Sequence, residues 1–151
     1  MREYEHPHFG HINEYQSEKA SNSYLMSMVA IMAGLGLPFF NLLATLIFYL
    51  ANRKESLFVR WHCTQALISQ FILLVFNAIL FAWLLTIVFG DNAFNRNFFA
   101  YLGVVLFINL VEFIATIYTA IQTRKGLHVE WWILGPLSHI FMGTQQKESS
   151  W

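Results

Sequence analysis

The chain has 151 residues with nine acidic and nine basic side chains, so no excess of positive charge indicates binding to nucleic acid. Hydrophobic residues make up 56% of the chain and charged residues only 12%, whereas soluble domains carry about 25% charged residues. The single cysteine, Cys63, excludes an intrachain disulfide and a Cys-x-x-Cys redox or metal site. This composition indicates a membrane protein rather than a soluble enzyme.

The charged residues are distributed so that three long segments are almost free of them. Residues 20–52 and 61–90 contain no Asp, Glu, Lys or Arg, and residues 97–123 contain only Glu112. Each segment exceeds the roughly 20 apolar residues that a helix needs to cross a bilayer. The sequence therefore predicts an all-α membrane protein with three long transmembrane helices, at residues 24–51, 57–89 and 98–121.

The first 23 residues are polar and are predicted to form a mobile tail. Three histidines cluster in it, His6, His8 and His11. They could hold a transition metal, but the preferred interpretation is a flexible tail that happens to contain histidines. Residues 24–143 are predicted to form a single helical membrane domain, followed by a C-terminal tail at residues 144–151.

A break is expected in the first predicted span, where Gly34, Gly36 and Pro38 lie close together. Proline removes a backbone donor and clashes with the preceding turn, so the helix should kink or stop there. The segment is too short to cross the bilayer twice, since two crossings need roughly 40 residues. It could still dip into the membrane and return, and this decides on which side the N-terminus lies.

The last apolar segment, residues 131–143, is shorter than a straight span requires and contains Gly135-Pro136. Trp131 and Trp132 suit the membrane interface, where an amphipathic ring lies half in water. The preferred interpretation is a short interfacial or re-entrant helix. A short fourth transmembrane helix is the alternative.

The orientation follows from the basic residues. In the three-span arrangement the side opposite Arg96 holds most of them: Arg53, Lys54, Arg60, Arg124 and Lys125. The positive-inside rule then places the Arg53 and Arg124 turns in the cytoplasm and the turn at residues 91–97 outside. We expect the membrane to be the bacterial inner, or plasma, membrane.

A short signature opens the second predicted span. Residues 58–66 read Phe-Val-Arg-Trp-His-Cys-Thr-Gln-Ala, which resembles the F-V-R-[FW]-H-x-x-Q-A signature of a family of small bacterial multi-span membrane proteins of unknown function. That family is similar to the plastid inner-envelope import component Tic-twenty. The resemblance covers roughly residues 30–140 and implies a helical membrane fold and, through Tic-twenty, a contribution to a translocation channel. It assigns the signature to Phe58, Arg60, Trp61, His62 and Gln65.

Polar side chains inside the predicted spans form stripes that must face other helices, because lipid cannot satisfy them. Glu112 precedes Arg124 by 12 positions, which is about 18 Å at 1.5 Å per residue. This depth is near the midplane of a hydrocarbon core about 30 Å thick. The predicted intramembrane polar cluster joins Glu112 to Asn41, Ser69, Gln70 and Asn109.

Two interpretations of Glu112 remain open. It could bind a proton or a cation on a pathway through the membrane, since ionisable residues at this depth are often functional. It could instead be a protonated side chain that holds helices together through hydrogen bonds, which is the preferred interpretation. An ion pair with His62 is not expected, since the two lie about 15 Å apart in depth.

His62 and Gln65 also have two interpretations. They could shape a cytoplasmic mouth or contact partners and lipid headgroups. They could instead bond to the Thr119 face of the third span and stabilise the fold, which is preferred. No second ligand supports haem binding by His62.

The sequence contains no His-Glu-x-x-His or Gly-x-Ser-x-Gly motif, so we expect no enzyme, no catalytic residue, no cofactor and no metal. A non-catalytic subunit or scaffold of a membrane complex is the preferred function. The alternative is an oligomeric pore or transporter component that moves protein, protons or ions past the cluster around Glu112. Both functions imply contact with the lipid bilayer and with other membrane subunits or further copies of the chain, and neither involves nucleic acid.

Overall fold

The computed structural model describes residues 2–4, 11–32, 38–90, 93–132 and 134–142. These ranges contain helices and two short strands: β1 (Arg2–Tyr4), α1 (Glu14–Met32), α2 (Pro38–Ala51), α3 (Leu57–Val88), α4 (Arg96–Arg124), β2 (His128–Glu130) and α5 (Leu134–Met142). The strands pair antiparallel, with Tyr4 opposite His128. The helical prediction is confirmed, but the all-α prediction missed this sheet, because strands of three residues leave no periodic pattern.

Side chains just before three helices determine where they begin. Asn13 and Gln16 form a reciprocal capping box at α1, in which each side chain accepts from the other's backbone N–H at 2.9 and 3.2 Å. Ser56 accepts from Val59 N at the start of α3. Asn95 Oδ1 accepts from Phe98 N at 2.8 Å at the start of α4.

Helix α4 ends just before a glycine. Gly126 has a φ of 83°, a conformation that costs glycine little. The N–H of Leu127 returns to the carbonyl of Gln122 at 3.2 Å, and that of Gly126 to the carbonyl of Thr123 at 3.0 Å. This Schellman arrangement satisfies the last carbonyls of the helix and turns the chain back towards β2.

The first predicted span is two helices rather than one. α1 ends at Met32 and α2 begins at Pro38, whose fixed φ and missing N–H suit the first turn of a helix. Lys19 in α1 donates to Glu55 Oε1, just beyond α2, at 2.6 Å, so the start of α1 lies beside the end of α2. The two helices run antiparallel, and the single crossing expected for residues 24–51 is not found.

Helices α3 and α4 are the two in the described part of the chain that are long and apolar enough to cross a membrane, with mean hydropathies of 2.7 and 2.2 in their most apolar stretches. Only 6% and 17% of those stretches are buried, whereas a core helix of a soluble protein would be mostly covered. Their exposed apolar side chains suit contact with lipid. A third transmembrane helix is not confirmed, since the 14 residues of α2 extend only about 21 Å.

Helix α5 is too short to cross a bilayer. Its nine residues extend about 14 Å, and it packs against α3 beside β2. Trp132, just before it, is 79% exposed, as expected of a residue at an interface. A fourth transmembrane helix is therefore not found here, while residues 143–151, including the predicted C-terminal tail, lie outside the described ranges.

The helical domain begins at Glu14 instead of residue 24, where the sequence placed the end of the polar tail. Ser17 and Ser23 bond to carbonyls of their own helix at 2.9 and 2.6 Å, and Ser21 donates to the carbonyl of Ala120 in α4 at 2.8 Å. These serines are buried. Small hydroxyl side chains allow close helix packing, so the polar appearance of this segment was misleading.

One end of the molecule gathers most of the charged residues. Glu18 in α1 lies 3.6 Å from Arg124 at the end of α4, and Lys19 reaches the turn between α2 and α3. The start of α1, that turn and the end of α4 therefore form one basic end, which carries Arg53, Lys54, Arg60, Arg124 and Lys125. α1 begins at this end, and not at the opposite one as a full crossing by the first span would require.

Candidate functional site

The signature occupies one face of α3, which is buried against the rest of the basic end. Trp61 and His62 each lie three or four positions from Phe58 and from Gln65, which places all four on one side of a helix, and at most 2% of each is exposed. Arg60 lies off this face and is half-buried. The signature is thus mainly a packing surface.

A chain of hydrogen bonds runs from this face towards the surface. Tyr24 Oη lies 2.8 Å from His62 Nδ1, and His62 Nε2 lies 3.2 Å from His128 Nδ1. Nε2 of His128 and Nε2 of His139 lie 3.1 and 2.8 Å from the same oxygen, Oε1 of Glu130. His62 and His128 are fully buried, whereas 13% of the Glu130 side chain and 23% of that of His139 are exposed.

The donors and acceptors of this chain are determined by the carboxylate. Ionised Glu130 only accepts, so His128 Nε2 donates and, if the ring is neutral, His128 Nδ1 accepts. His62 Nε2 is then a donor, and His62 Nδ1 accepts from the hydroxyl of Tyr24. The oxygen of Tyr24 accepts in turn from Gln65 Nε2 at 2.9 Å. Every contact has one donor and one acceptor when both imidazoles are neutral.

Gln65 joins the signature face to the chain that follows α4. Its Nε2 also donates to the carbonyl of Val129, and its Oε1 accepts from the N–H of Trp131, both at 3.3 Å. The indole of Trp131 donates to Thr119 Oγ1 at 2.7 Å. The expectation that Gln65 and His62 bond to the Thr119 face was wrong, because Trp131 occupies that position.

Trp61 lies between the histidines. Its ring centroid is 5.0 Å from that of His62, 4.3 Å from that of His128 and 5.5 Å from that of His139. Its indole N–H is buried and has no hydrogen-bond acceptor in the described part of the structure. Any change in the charge of these imidazoles therefore occurs in direct contact with this indole.

Sequence reasoning missed Tyr24, His128, Glu130 and His139. They come from α1, β2 and α5, and no local pattern relates them to the signature on α3. The one available signal was the presence of His128 and Glu130 just before the last apolar segment and of His139 within it, but the sequence analysis drew on the tryptophans of that segment alone. The contact of these residues with the signature depends on how the chain after α4 folds back against α3.

Two imidazole nitrogens that converge on a carboxylate are also a pattern of metal ligands. Among the residues that the structure describes, however, no group of three or more His, Cys, Asp or Glu side chains is arranged to hold a metal ion. The tautomers give a reason, since Nε2 of His128 carries a proton and has no lone pair for a metal. His6 and His8 lie outside the described ranges, and His11 is exposed.

Burial lowers the pKa of His128 below its usual 6.5, and the hydrogen bond to Glu130 opposes this only in part. The charged form is disfavoured because the ring is removed from water. His128 is therefore neutral near pH 7, in agreement with the donor and acceptor assignment.

Glu112 holds α3 and α4 together deeper in the molecule. Its Oε1 accepts from Gln70 Nε2 at 2.7 Å, from Thr116 Oγ1 at 3.0 Å and from Ser69 Oγ at 3.3 Å. The structure thus brings Ser69 and Gln70 to Glu112 as expected and adds Thr116. His62 bonds to Tyr24 and His128.

The rest of the predicted cluster is divided. Asn109 pairs with Asn77 on α3 through two hydrogen bonds of 3.2 Å. Asn41 lies on α2, where its Oδ1 is buried without a hydrogen-bond partner in the described part of the chain. It does not join the Glu112 cluster, because α2 packs mainly against α1 and α3, whereas Glu112 lies on α4.

A groove of about 440 Å³ opens beside Glu112. Its walls are mostly apolar side chains of α3 and α4, and its end is formed by Trp131, Trp132 and Leu134. Ser69 and Glu112 are the polar lining residues along the helices. The groove therefore gives the carboxyl group of Glu112 an opening towards the lipid-facing surface.

The chain matches the sequence model of a known protein family. The sequence model of the MamF/MmsF family, described as the magnetosome magnetite crystal formation protein family, matches residues 20–146. The match includes α2, α3, α4, β2 and α5 completely, and it includes both the buried histidine pair and Glu112. No curated protein and no solved structure matches the chain.

Proposed function

The chain belongs to the magnetosome magnetite crystal formation protein family, and we propose that it acts there as a non-catalytic membrane scaffold of the assembly that forms magnetite crystals. It is a small integral membrane protein by its family and its two long apolar helices. The scaffold function rests on one observation in particular. The polar side-chain atoms of His62 and Gln65 bond to other parts of the same chain.

That observation favours a structural part for the signature. Gln65 is fully buried and contacts Tyr24, Val129 and Trp131. A residue that served a passing substrate would need an open donor or acceptor on an accessible wall. Gln65 instead joins α1, α3 and β2 into one rigid end.

The α3–α4 hairpin supplies the membrane anchor and a surface for association. Large apolar side chains are exposed on α2, α3 and α4, among them Phe40, Phe71, Phe107 and Ile114. In a bilayer such a surface contacts lipid or the helices of other subunits. The partners that we propose are therefore the bilayer, neighbouring membrane proteins and further copies of the chain.

The proposed location is the membrane that surrounds the magnetite crystal. We propose that this membrane is of the same kind as the bacterial inner membrane. The basic end, with Arg53, Lys54, Arg124 and Lys125, faces the cytoplasm by the positive-inside rule. The opposite turn, residues 91–97, then faces the compartment in which the crystal forms.

A second candidate is an oligomeric pore or transporter that moves protons or ions past Glu112. The groove beside this carboxyl group favours it, as does the location of an ionisable residue deep in a membrane helix. Two membrane helices enclose no passage by themselves, so this function needs several copies or partners. The resemblance to Tic-twenty stays a hypothesis, because the family match does not concern protein import.

Complementation separates the two candidates. In a magnetosome-forming bacterium without its copy of the gene, the scaffold proposal expects crystal number and size, measured by electron microscopy, to follow the amount of folded protein in the membrane. Glu112→Gln, which preserves the hydrogen-bond acceptor, should restore the crystals. A Glu112→Gln protein that accumulates normally but yields few or no crystals would overturn the scaffold proposal in favour of transport.

A further inference from the structure

The buried pair His62 and His128 is unusual in that two imidazoles share a single hydrogen bond away from water. We propose that this pair is a proton-binding site, and that binding a proton there releases β2 from α3. The site goes beyond the scaffold function, because it makes the basic end of the molecule responsive to pH.

An additional proton on the pair turns an acceptor nitrogen of the described hydrogen bonds into a second donor. A proton added to His128 Nδ1 meets the N–H of His62, so His62 must move its own proton to Nδ1. That nitrogen then faces the hydroxyl of Tyr24, which becomes an acceptor there while it still accepts from Gln65. The hydroxyl hydrogen of Tyr24 loses its acceptor, and a positive charge is buried, which is costly in a low-dielectric interior.

The pair is connected to the surface through Glu130. His139 is partly exposed and its Nε2 lies 2.8 Å from Glu130 Oε1, and Nε2 of His128 lies 3.1 Å from the same oxygen. Because Nε2 of His128 already carries a proton in the attached form, the additional proton is taken up at Nδ1 when β2 leaves α3. At the other end the chain stops at Tyr24 and Gln65, so it binds a proton but does not conduct one across the molecule.

The titratable groups that the structure describes against the pair come from several elements. α1 contributes Tyr24, and α5 contributes His139, which shares Glu130 with His128. β2 contributes Glu130, the one carboxylate that the described residues place against the pair. α4 reaches the site only indirectly, through the bond of Thr119 to Trp131. Glu130 is already shared by His128 and His139, so it offsets a further positive charge only in part.

The element that protonation would release is β2. It is held to α3 by the His62–His128 contact and by the bonds of Gln65 to Val129 and Trp131. β1 is attached through its pairing with β2, and α5 follows β2 directly. The α3–α4 hairpin has its own contacts around Glu112 and Asn109, so the change is confined to the basic end.

The direction of the pH dependence follows from the lowered pKa of His128. The released form, with the ring in water, takes up a proton near the usual value of 6.5, whereas the attached form resists it. Attachment of β2 is therefore fully present above pH 6.5 and weakens as the pH falls below it. While only the released form is protonated, the opening equilibrium rises by at most about tenfold per pH unit for one proton.

Hydrogen exchange of the full chain in detergent micelles tests the inference, with samples from about pH 8 to about pH 5 corrected for the intrinsic exchange rate. We expect peptides that contain β2 and α5 to lose protection reversibly below pH 6.5, while peptides from the middle of α3 and α4 retain theirs. Equal protection of β2 at all these pH values would overturn the proposal, as would simultaneous loss of protection along the whole chain.

A variant and a control sharpen this result. His128→Gln preserves an N–H for Glu130 but does not titrate, so protection of β2 should become independent of pH, whatever its absolute level. His11→Gln removes an exposed histidine outside the site and should behave as wild type. A His128→Gln protein with the wild-type pH dependence would refute the assignment.

Fluorescence gives a second readout if His128→Gln does not fold. In a chain whose other tryptophans are replaced by phenylalanine, Trp61 reports on the imidazoles that it contacts at 4.3 and 5.0 Å. Protonated imidazole quenches indole emission, and release of β2 changes the surroundings of the indole. We expect a transition below pH 6.5 with the protein still helical. A constant signal over this range would contradict the proposal.

Discussion

Asn77 and Asn109 exchange two side-chain hydrogen bonds of 3.2 Å across the α3–α4 hairpin. Each amide also donates to a carbonyl one turn earlier in its own helix, that of Leu73 at 2.9 Å and that of Val105 at 2.8 Å. The pair therefore connects two helices that are otherwise apolar along much of their length. Because a slip of one turn would separate the two amides by about 5 Å and leave them against apolar side chains, the pair favours one register of the hairpin.

The coupling between these amides should be measurable. In a double-mutant cycle with Asn77→Leu and Asn109→Leu, we expect a coupling free energy of about 0.6 to 1.7 kcal/mol, the range found for hydrogen bonds between membrane helices. Unfolding in mixed micelles by added SDS gives the free energies. Asn97→Leu, at an exposed position of α4, is the control. It should leave the coupling free energy between Asn77 and Asn109 unchanged. Additive effects of the two substitutions would contradict the pairing.

We expect substitutions in the signature to lower the stability of the fold and to affect function only through that loss. Gln65→Leu leaves the carbonyl of Val129 and the N–H of Trp131 without a partner, so we expect a loss of about 1 to 3 kcal/mol for each buried group that stays unpaired. The half-buried Arg60 should matter less, and Arg60→Ala should reduce folded protein by a smaller amount. The amount of monodisperse protein after gentle extraction measures both. If both variants accumulate normally while crystal formation is lost, the signature has a direct function.

Glu112 should tolerate an amide but not an apolar side chain. Glu112→Gln preserves an acceptor for Gln70, Ser69 and Thr116, so stability should barely change. Glu112→Leu removes the acceptor of three donors and should destabilise the hairpin by about 1 to 3 kcal/mol for each donor left unpaired. Reconstituted vesicles with a pH-sensitive dye test the alternative. A wild-type proton flux that disappears in a folded Glu112→Gln protein would identify a transport site.

The topology should show the beginning of α1 and the basic turns on one side of the membrane. In a Cys63→Ala background, His11→Cys and Lys54→Cys should label together from the cytoplasmic side, and Asn95→Cys from the other. The antiparallel α1–α2 hairpin is the reason, since the start of α1 lies beside Glu55. Labelling of His11→Cys together with Asn95→Cys would instead require the first span to cross completely.

The contacts of Glu112 with Ser69 and Gln70 could be predicted from the sequence, because they depend only on the pairing of α3 with α4 and on the depth of each residue in the membrane. Glu112, Ser69 and Gln70 lie on two long apolar helices, so counting the rise per residue was enough to bring them together. The same counting did not show that Asn41 lies outside this cluster. Depth along a helix does not say which neighbouring helix a side chain faces, and α2 packs mainly against α1 and α3.

The sequence by itself determined that this is a helical membrane protein with a long α3–α4 hairpin and a basic end, because hydropathy, charge and caps act locally. Only the tertiary structure decided that residues 24–51 are not one crossing, that polar residues 14–23 are packed helix, and that the signature faces β2. The His62–His128 contact joins residues 66 positions apart. Such a contact depends on how the ends of several helices meet, and no local pattern contains that information.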